Sequence, residues 1–224
     1  MKNKRVYTSE DVVQANKTLY NETAHEYDKR LELYHPQVLD YYQNLFNTEI
    51  FSRFEPIKTG SNLNILDVGC GTGYLEQFLA KQSARVTGID ISSKMLEQAR
   101  AKFPAVDFKE ADIYSFEAGQ FDAVIANSFL HHCKDNQLIL KKIAELVRPG
   151  GVLFVGMELN KFVYKYLFFV ITLFRKLFLR KNFFKVSDTE KLAEYHIFHG
   201  EGMSPSFFKK ELCEISMRAP FLVK

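Results

Sequence analysis

Hydrophobic and polar positions change rhythm once along the chain, near residue 60. Residues 1–60 are polar and aromatic with helical spacing in places, most clearly at Leu31, Tyr34, Val38, Tyr41, Tyr42 and Leu45, which predicts helices there. Pro56 and the cluster Lys58-Thr59-Gly60-Ser61 read as a linker. Beyond it, short apolar runs alternate with longer amphipathic ones. The short runs predict strands over 64–68, 85–90, 106–110, 121–126 and 152–157. The amphipathic ones predict helices over 74–81, 94–102 and 137–147, the last stopped by Arg148-Pro149-Gly150-Gly151. Ser204-Pro205 ahead of 207–215 reads as a capped helix, and 219–223 as one last strand. Strand and helix in alternation imply an α/β, doubly wound, mostly parallel sheet with helices on both faces.

The most informative stretch is Ile65-Leu66-Asp67-Val68-Gly69-Cys70-Gly71-Thr72-Gly73. It reads as a buried strand feeding a tight turn in which side-chain-free positions let a ligand lie against the backbone. The spacing GxGxG differs from the GxGxxG of dinucleotide folds. Asp67, immediately before the turn, would repel a pyrophosphate and favour a ligand that carries an ammonium group. Asp90 ends the second strand, where a carboxylate accepts ribose hydroxyls, and Asp112 follows the third, placed to accept from an exocyclic amine. Ile91 and Ile113 supply apolar faces for a base. Each aspartate alone is equally a turn or cap residue; together with the glycines they point to a nucleoside bearing an amino acid.

Five segments in order then resemble class I S-adenosylmethionine-dependent methyltransferases of the small-molecule type. They are 65–73, Gly88-Ile89-Asp90-Ile91-Ser92, Glu110-Ala111-Asp112-Ile113, 121–132 and Leu146-Val147-Arg148-Pro149-Gly150-Gly151. Upstream, Tyr20-Asn21-Glu22-Thr23-Ala24-His25-Glu26-Tyr27-Asp28 resembles the lid helix of many members. The likeness covers about residues 15–160. It implies a Rossmann-like core with S-adenosylmethionine as cofactor and S-adenosylhomocysteine as product. In that scheme Asp67, Gly69, Cys70, Gly71 and Gly73 hold the methionine moiety, the Cys70 backbone mattering more than its thiol. Asp90 holds the ribose, Asp112 the adenine, Asn127 lines the pocket, and Tyr20 and Tyr27 close over it. The division expected is a helical lid (1–60), the cofactor-binding core (61–160), a basic insertion (161–203) and a C-terminal helix with an edge strand (204–224).

Methyl transfer needs alignment more than a covalent nucleophile, but a base helps where the acceptor carries a proton. His196, Glu158 and His132 are the candidates taken forward. Glu158 sits at the carboxyl end of the fifth strand, where it reaches acceptor or lid, or is only a surface residue. The His131-His132 pair is frequently positional in relatives, and His196 lies in a loop resembling their substrate-facing insertion. No carboxylate or cysteine shows ligand spacing to these histidines, so no metal site is expected.

Charge adds one feature. The formal net charge is +3, yet residues 161–185 carry seven Lys or Arg and no acid, which leaves the remainder at −4. Aromatic and aliphatic residues such as Phe162, Tyr166, Phe169 and Leu173 share one helical face of this segment. It reads as a helix in a membrane interface, as a lid over the acceptor pocket, or as a dimer contact. Its aliphatic content suits lipid better than nucleic acid. Three scattered cysteines and the lack of an apolar leader favour the cytoplasm, peripheral to the inner face of a membrane if the segment docks there. Only nine residues follow Ile215, so a shortened or altered C-terminus is expected in place of the family's closing hairpin. The function expected is methyl transfer to a small, hydrophobic or lipid-like acceptor. A cofactor-binding, membrane-associated regulatory or assembly protein without methyl transfer stays open beside it.

Overall fold

The strands are β1 (Asn64–Val68), β2 (Arg85–Asp90), β3 (Asp107–Glu110), β4 (Phe121–Asn127), β5 (Val147–Gly156) and β6 (Phe221–Val223). In the computed structural model, which describes residues 6–30, 34–57, 63–80, 84–158, 187–195, 204, 206, 207, 211 and 221–223, they pair in the order β3-β2-β1-β4-β5-β6. Every described pairing is parallel. This is the doubly wound order, with its topological switch between β1 and β4. β6 runs parallel to β5 at the edge.

Alternation explains why the central strands read as continuous apolar runs. Leu66, Val124, Ala126, Leu153 and Val155 pack on one face with Ile139, Leu140 and Ile143 of helix α6 (Asn136–Glu145). Ile65, Ala123, Ile125, Val152 and Phe154 pack on the other. A strand covered on both sides has no polar face to show.

The cover on the second face comes from the N-terminal segment. After α1 (Ser9–Thr23), a 3-10 turn (Ala24–Glu26) and α2 (Tyr27–Arg30) come α3 (Pro36–Leu45), a π turn (Phe46–Ile50) and a 3-10 stretch (Phe51–Ile57). Phe46, Ile50, Phe51 and Phe54 are buried beneath the sheet with Phe78 and Phe154. Each such side chain contributes about 1.5–3 kcal/mol. Residues 36–54 therefore contribute a core layer, and among the described N-terminal elements α1 and Tyr27 lie over the strand ends. Pro36 starts α3, so its inward face is Tyr42 and Leu45, while Tyr34 and Tyr41 of the predicted stripe are exposed.

The remaining helices are α4 (Glu76–Leu79), α5 (Ser93–Lys102) and α7 (Asp188–Ala193). β5 begins at Val147, five residues before the predicted start. The Arg148-Pro149-Gly150-Gly151 run is a bulge, Val147 pairing Phe121 and Val152 pairing Ala123, with Gly150 left-handed at φ 77. Among the described residues no helix is long and apolar enough to cross a membrane. The basic segment 161–185, His196 and the predicted helix 207–215, apart from Phe207 and Glu211, lie outside the described residues.

Candidate active site

The turns after β1, β2, β3 and β4 open at the carboxyl ends of the strands, on either side of the switch point. They line a cleft roofed by Val12, Val13, Asn16 and Tyr20 of α1 and by Tyr27. α1 begins with a capping box, Thr8 Oγ1 accepting from Asp11 N and Asp11 accepting from Thr8 N. Several polar contacts hold the helix over the opening. Asn16 Nδ2 donates to His132 O at 3.1 Å, Asn21 Oδ1 accepts from Ser92 Oγ at 2.8 Å, and Lys17 pairs with Glu110 at 2.6 Å.

The glycine turn is built from its own amides. Gly69 N and Cys70 N donate to Ile89 O, Gly73 N to Cys70 O, and Gly71 N to Asp90 Oδ2 at 3.0 Å. The loop therefore offers bare surface with few donors for a phosphate. A Cβ on Gly71 would have nothing within 4 Å, so the position opens into the cleft, and its φ of +56 suits glycine. A Cβ on Gly73 would instead meet Ala99 of α5 and Phe103, just past its end, at 3.2 Å. Gly73 serves close packing behind the loop.

Asp90 and Asp112 line the same cleft, with Ile91 and Ile113 beside them. The Asp90 carboxylate accepts from Gly71 N and from Ser92 N at 2.8 Å. Burial raises its pKa, against those two amides, which lower it. Asp112 Oδ1 accepts from Tyr114 N.

Residues 66–155 match the family model of a methyltransferase domain. That stretch, less than half of the chain, is similar to methyltransferase domains. An uncharacterized methyltransferase of Mycobacterium bovis is 42% identical over 96 residues, 41% of this chain and 48% of the relative. A ubiquinone biosynthesis O-methyltransferase of Aromatoleum aromaticum is 39% identical over 114 residues, 48% of each. The chain thus spans about half the length of the curated relatives it matches. Among solved structures, the plantazolicin methyltransferase BpumL in complex with a pentazolic analog and SAH superposes with a TM-score of 0.52 at 18% identity, over 94% of this chain and 79% of that one. Magnesium protoporphyrin IX methyltransferase from Synechocystis PCC 6803 with bound SAM gives 0.50 at 21%, over 65% and 76%. These two likenesses show the fold alone.

The predicted site residues divide. Tyr20, Tyr27, Gly69, Gly71, Asp90, Ile91, Asp112, Ile113 and His132 all line the cleft. Their chemistry suits an adenosine: a bare turn, a buried carboxylate and a second carboxylate, with two isoleucines lining the same cleft. Asp67, Cys70, Gly73, Asn127 and Glu158 do not line it. Cys70 is buried with Sγ against Gly88, and burial pushes its thiol well up. Asn127 is tied to Tyr42, its Nδ2 donating to the Tyr42 hydroxyl at 3.1 Å. The cleft also takes Ala111, Ser128 and Phe129 from within the quoted segments, and Met95, Tyr114 and Cys133, which no motif marked.

Asp67 turns to Glu76 behind the loop. Asp67 is 2% exposed and Glu76 0%, and Asp67 Oδ2 and both Glu76 oxygens have no donor among the described residues. Burial first, then the charge of Asp90, pushes Asp67 up to about 7, and burial with Asp67 beside it raises Glu76 well above the carboxylate range. The pair holds protons that the unfolded chain releases near pH 4. Stability therefore falls as pH rises from about 4 towards 7. Glu76→Gln is expected to lose less stability than the parent between pH 5 and pH 8 in urea titrations; parallel pH profiles would contradict this.

Glu158 is also a correction. Ser128 and Met157 turn left-handed at the ends of β4 and β5 (φ 54 and 53), which brings Glu158 under the next turn. Its carboxylate accepts from Phe129 N at 2.8 Å, Leu130 N at 2.7 Å, His131 N at 3.1 Å and His131 Nδ1 at 2.9 Å. Burial alone would raise its pKa, but His131 and the amides hold it below the usual range; His131 is raised despite burial, because Glu158 is its partner. With all its acceptor capacity engaged, Glu158 is a structural anchor. Spacing along the chain also gave no hint of Glu194, whose carboxylate reaches Tyr20, His131 and His132.

Proposed function

We propose that this chain is an S-adenosylmethionine-dependent methyltransferase acting on a small, apolar acceptor. The observation that carries the reading is the convergence of Gly71, Asp90 and Asp112 on one cleft at the switch point. When bound, the cofactor supplies a methyl group on a sulfonium that an in-line nucleophile can displace. The chain's own residues do the rest: Asp90 accepts from the ribose hydroxyls, Asp112 from the adenine amine, and Ile91 and Ile113 cover the base. Tyr20 and Tyr27, whose rings meet edge-on at 5.8 Å, exclude water from above.

Val12, Val13, Phe129 and Met95 give the cleft an apolar lining, which favours a hydrophobic acceptor. A relative named for ubiquinone biosynthesis supports the same class. The basic aromatic stretch 161–185 fits delivery of that acceptor from an anionic membrane surface.

The test is calorimetry of the whole chain with S-adenosylmethionine, followed by methyl release from labelled cofactor in a lipid and metabolite extract. Binding with a labelled apolar product is expected. Binding without turnover would overturn the transferase reading. Sedimentation with anionic vesicles at low salt should carry the protein down, less so after four cations of 161–185 are changed to Gln; equal sedimentation of the two would remove the membrane part.

A further inference from the structure

Tyr20, His132 and Glu194 form a chain of contacts whose protons do not add up. His132 Nδ1 faces Ala193 O at 3.2 Å, His132 Nε2 faces the Tyr20 hydroxyl at 3.2 Å, and that hydroxyl faces Glu194 Oε1 at 3.1 Å. Three contacts need three protons. A neutral imidazole and a phenol bring two, and the Ala193 carbonyl can only accept. With Nδ1–H given to Ala193, His132 Nε2 and Glu194 Oε1 compete for the single Tyr20 proton. Among the described residues one acceptor is left without a donor, unless His132 or Glu194 is itself protonated.

The surroundings oppose protonation of His132. It is largely buried, and its ring centroid lies 3.9 Å from that of His131. Burial first, then the charge of His131, lowers it to about 4, although Glu194 and Glu158 pull the other way. Tyr20 keeps its proton because of burial, Glu194, Tyr27 and Asp90. His131 gives Nδ1 to Glu158 and stands 3.8 Å from Glu194 Oε2, too far for a direct hydrogen bond. Lys134 and Cys133 line the same cleft.

We infer that the missing proton is the acceptor's own: Tyr20, His132 and Glu194 are a proton-accepting chain, and the acceptor is a hydroxyl or an N–H compound. Tyr20 and His132 both line the cleft. In the transfer, a bond forms between the acceptor heteroatom and the methyl carbon, and the carbon–sulfur bond breaks with its pair on sulfur. The proton leaving the heteroatom goes to the chain at His132 Nε2 or through Tyr20 to Glu194, and from there to solvent. An acceptor with no proton to lose, such as a carboxylate, a thioether or a tertiary amine, needs no such chain. Glu194 works through Tyr20 and is a positioning residue.

This inference rests on the methyltransferase reading, and the experiment separates the two. The whole chain with 15N-labelled histidine is studied by NMR with S-adenosylhomocysteine added, His132→Gln assigning the signals. A neutral His132 with its proton on Nδ1 at pH 7 is expected; an imidazolium there, or uptake of a divalent ion by His131, His132 and Glu194, whose ligand atoms lie within 4.8 Å, overturns it. Methyl-labelled cofactor with the extract should then place label on oxygen or nitrogen that lost a proton, and label on a carboxylate, sulfonium or quaternary nitrogen overturns it. Glu194→Gln should lower kcat at least about 100-fold with cofactor affinity within about 2-fold; an unchanged kcat overturns the role of Glu194. If S-adenosylhomocysteine does not bind, the methyltransferase reading falls and this inference with it. If it binds and His132 is charged, only this inference falls.

Discussion

Gly71→Val is expected to weaken S-adenosylhomocysteine binding by more than about 100-fold, or about 2.7 kcal/mol, while the protein still folds. The position has φ +56 and nothing within 4 Å of an added Cβ. The Cβ of a substituent there meets no protein atom within that range beyond its chain neighbours. The valine side chain takes up room in the cleft that Gly71 and Asp90 both line, beside the carboxylate that Gly71 N holds in place. The left-handed backbone adds strain of about 1–2 kcal/mol, so a modest fall in unfolding midpoint is expected beside the loss of binding. Gly71→Ala should show the same strain with a smaller loss. Calorimetry and urea unfolding on the three proteins check both, and undiminished affinity of the valine variant would remove the glycine turn from the site.

Glu158→Ala is expected to destabilise the chain by about 3–5 kcal/mol, because a buried ion pair is broken from one side. Glu158 and His131 side chains are 5% and 8% exposed. Three backbone N–H groups lose their acceptor at once. A surface glutamate would cost less than about 0.5 kcal/mol, which makes unfolding a clean discriminator. The pH dependence carries a sign. Glu158, held low, contributes above the ordinary glutamate value and loses that contribution as pH falls through its folded pKa. His131, held high, contributes below the ordinary histidine value and loses it as pH rises through its folded pKa. The pair therefore stabilises most between about pH 4.3 and 6.5, and the deficit of Glu158→Gln should shrink from pH 6 to pH 9. A deficit that grows over that interval would contradict the pairing.

Much of the core was legible because it obeys local rules. β1 and β2 start and end where their apolar runs do, since both faces are covered and no register choice remains. Asp90 and Asp112 could be placed in one cleft from strand ends alone. The failures are places where the chain turns back on itself. Pro149 and Gly150 look like a helix stop, but a bulge absorbs them inside β5. Asp67 looked like a ligand residue from its place before the glycines, yet it faces Glu76, nine positions later. Glu158 looked like an acceptor contact at a strand end, and only the left-handed turns at Ser128 and Met157 reveal why it points beneath the next loop. The aromatic helix at Pro36–Leu45 read as lid because its spacing says that one face is apolar without saying which layer covers it. Glu194 reaches Tyr20 across 174 positions, a distance no spacing rule spans.

The most direct measurement is a crystal structure of the whole chain with S-adenosylhomocysteine. The ribose hydroxyls should lie within hydrogen-bonding distance of Asp90, with the adenine between Ile91 and Ile113 and its amine toward Asp112. Adenosine bound elsewhere, or turned so that neither carboxylate meets it, would contradict the account.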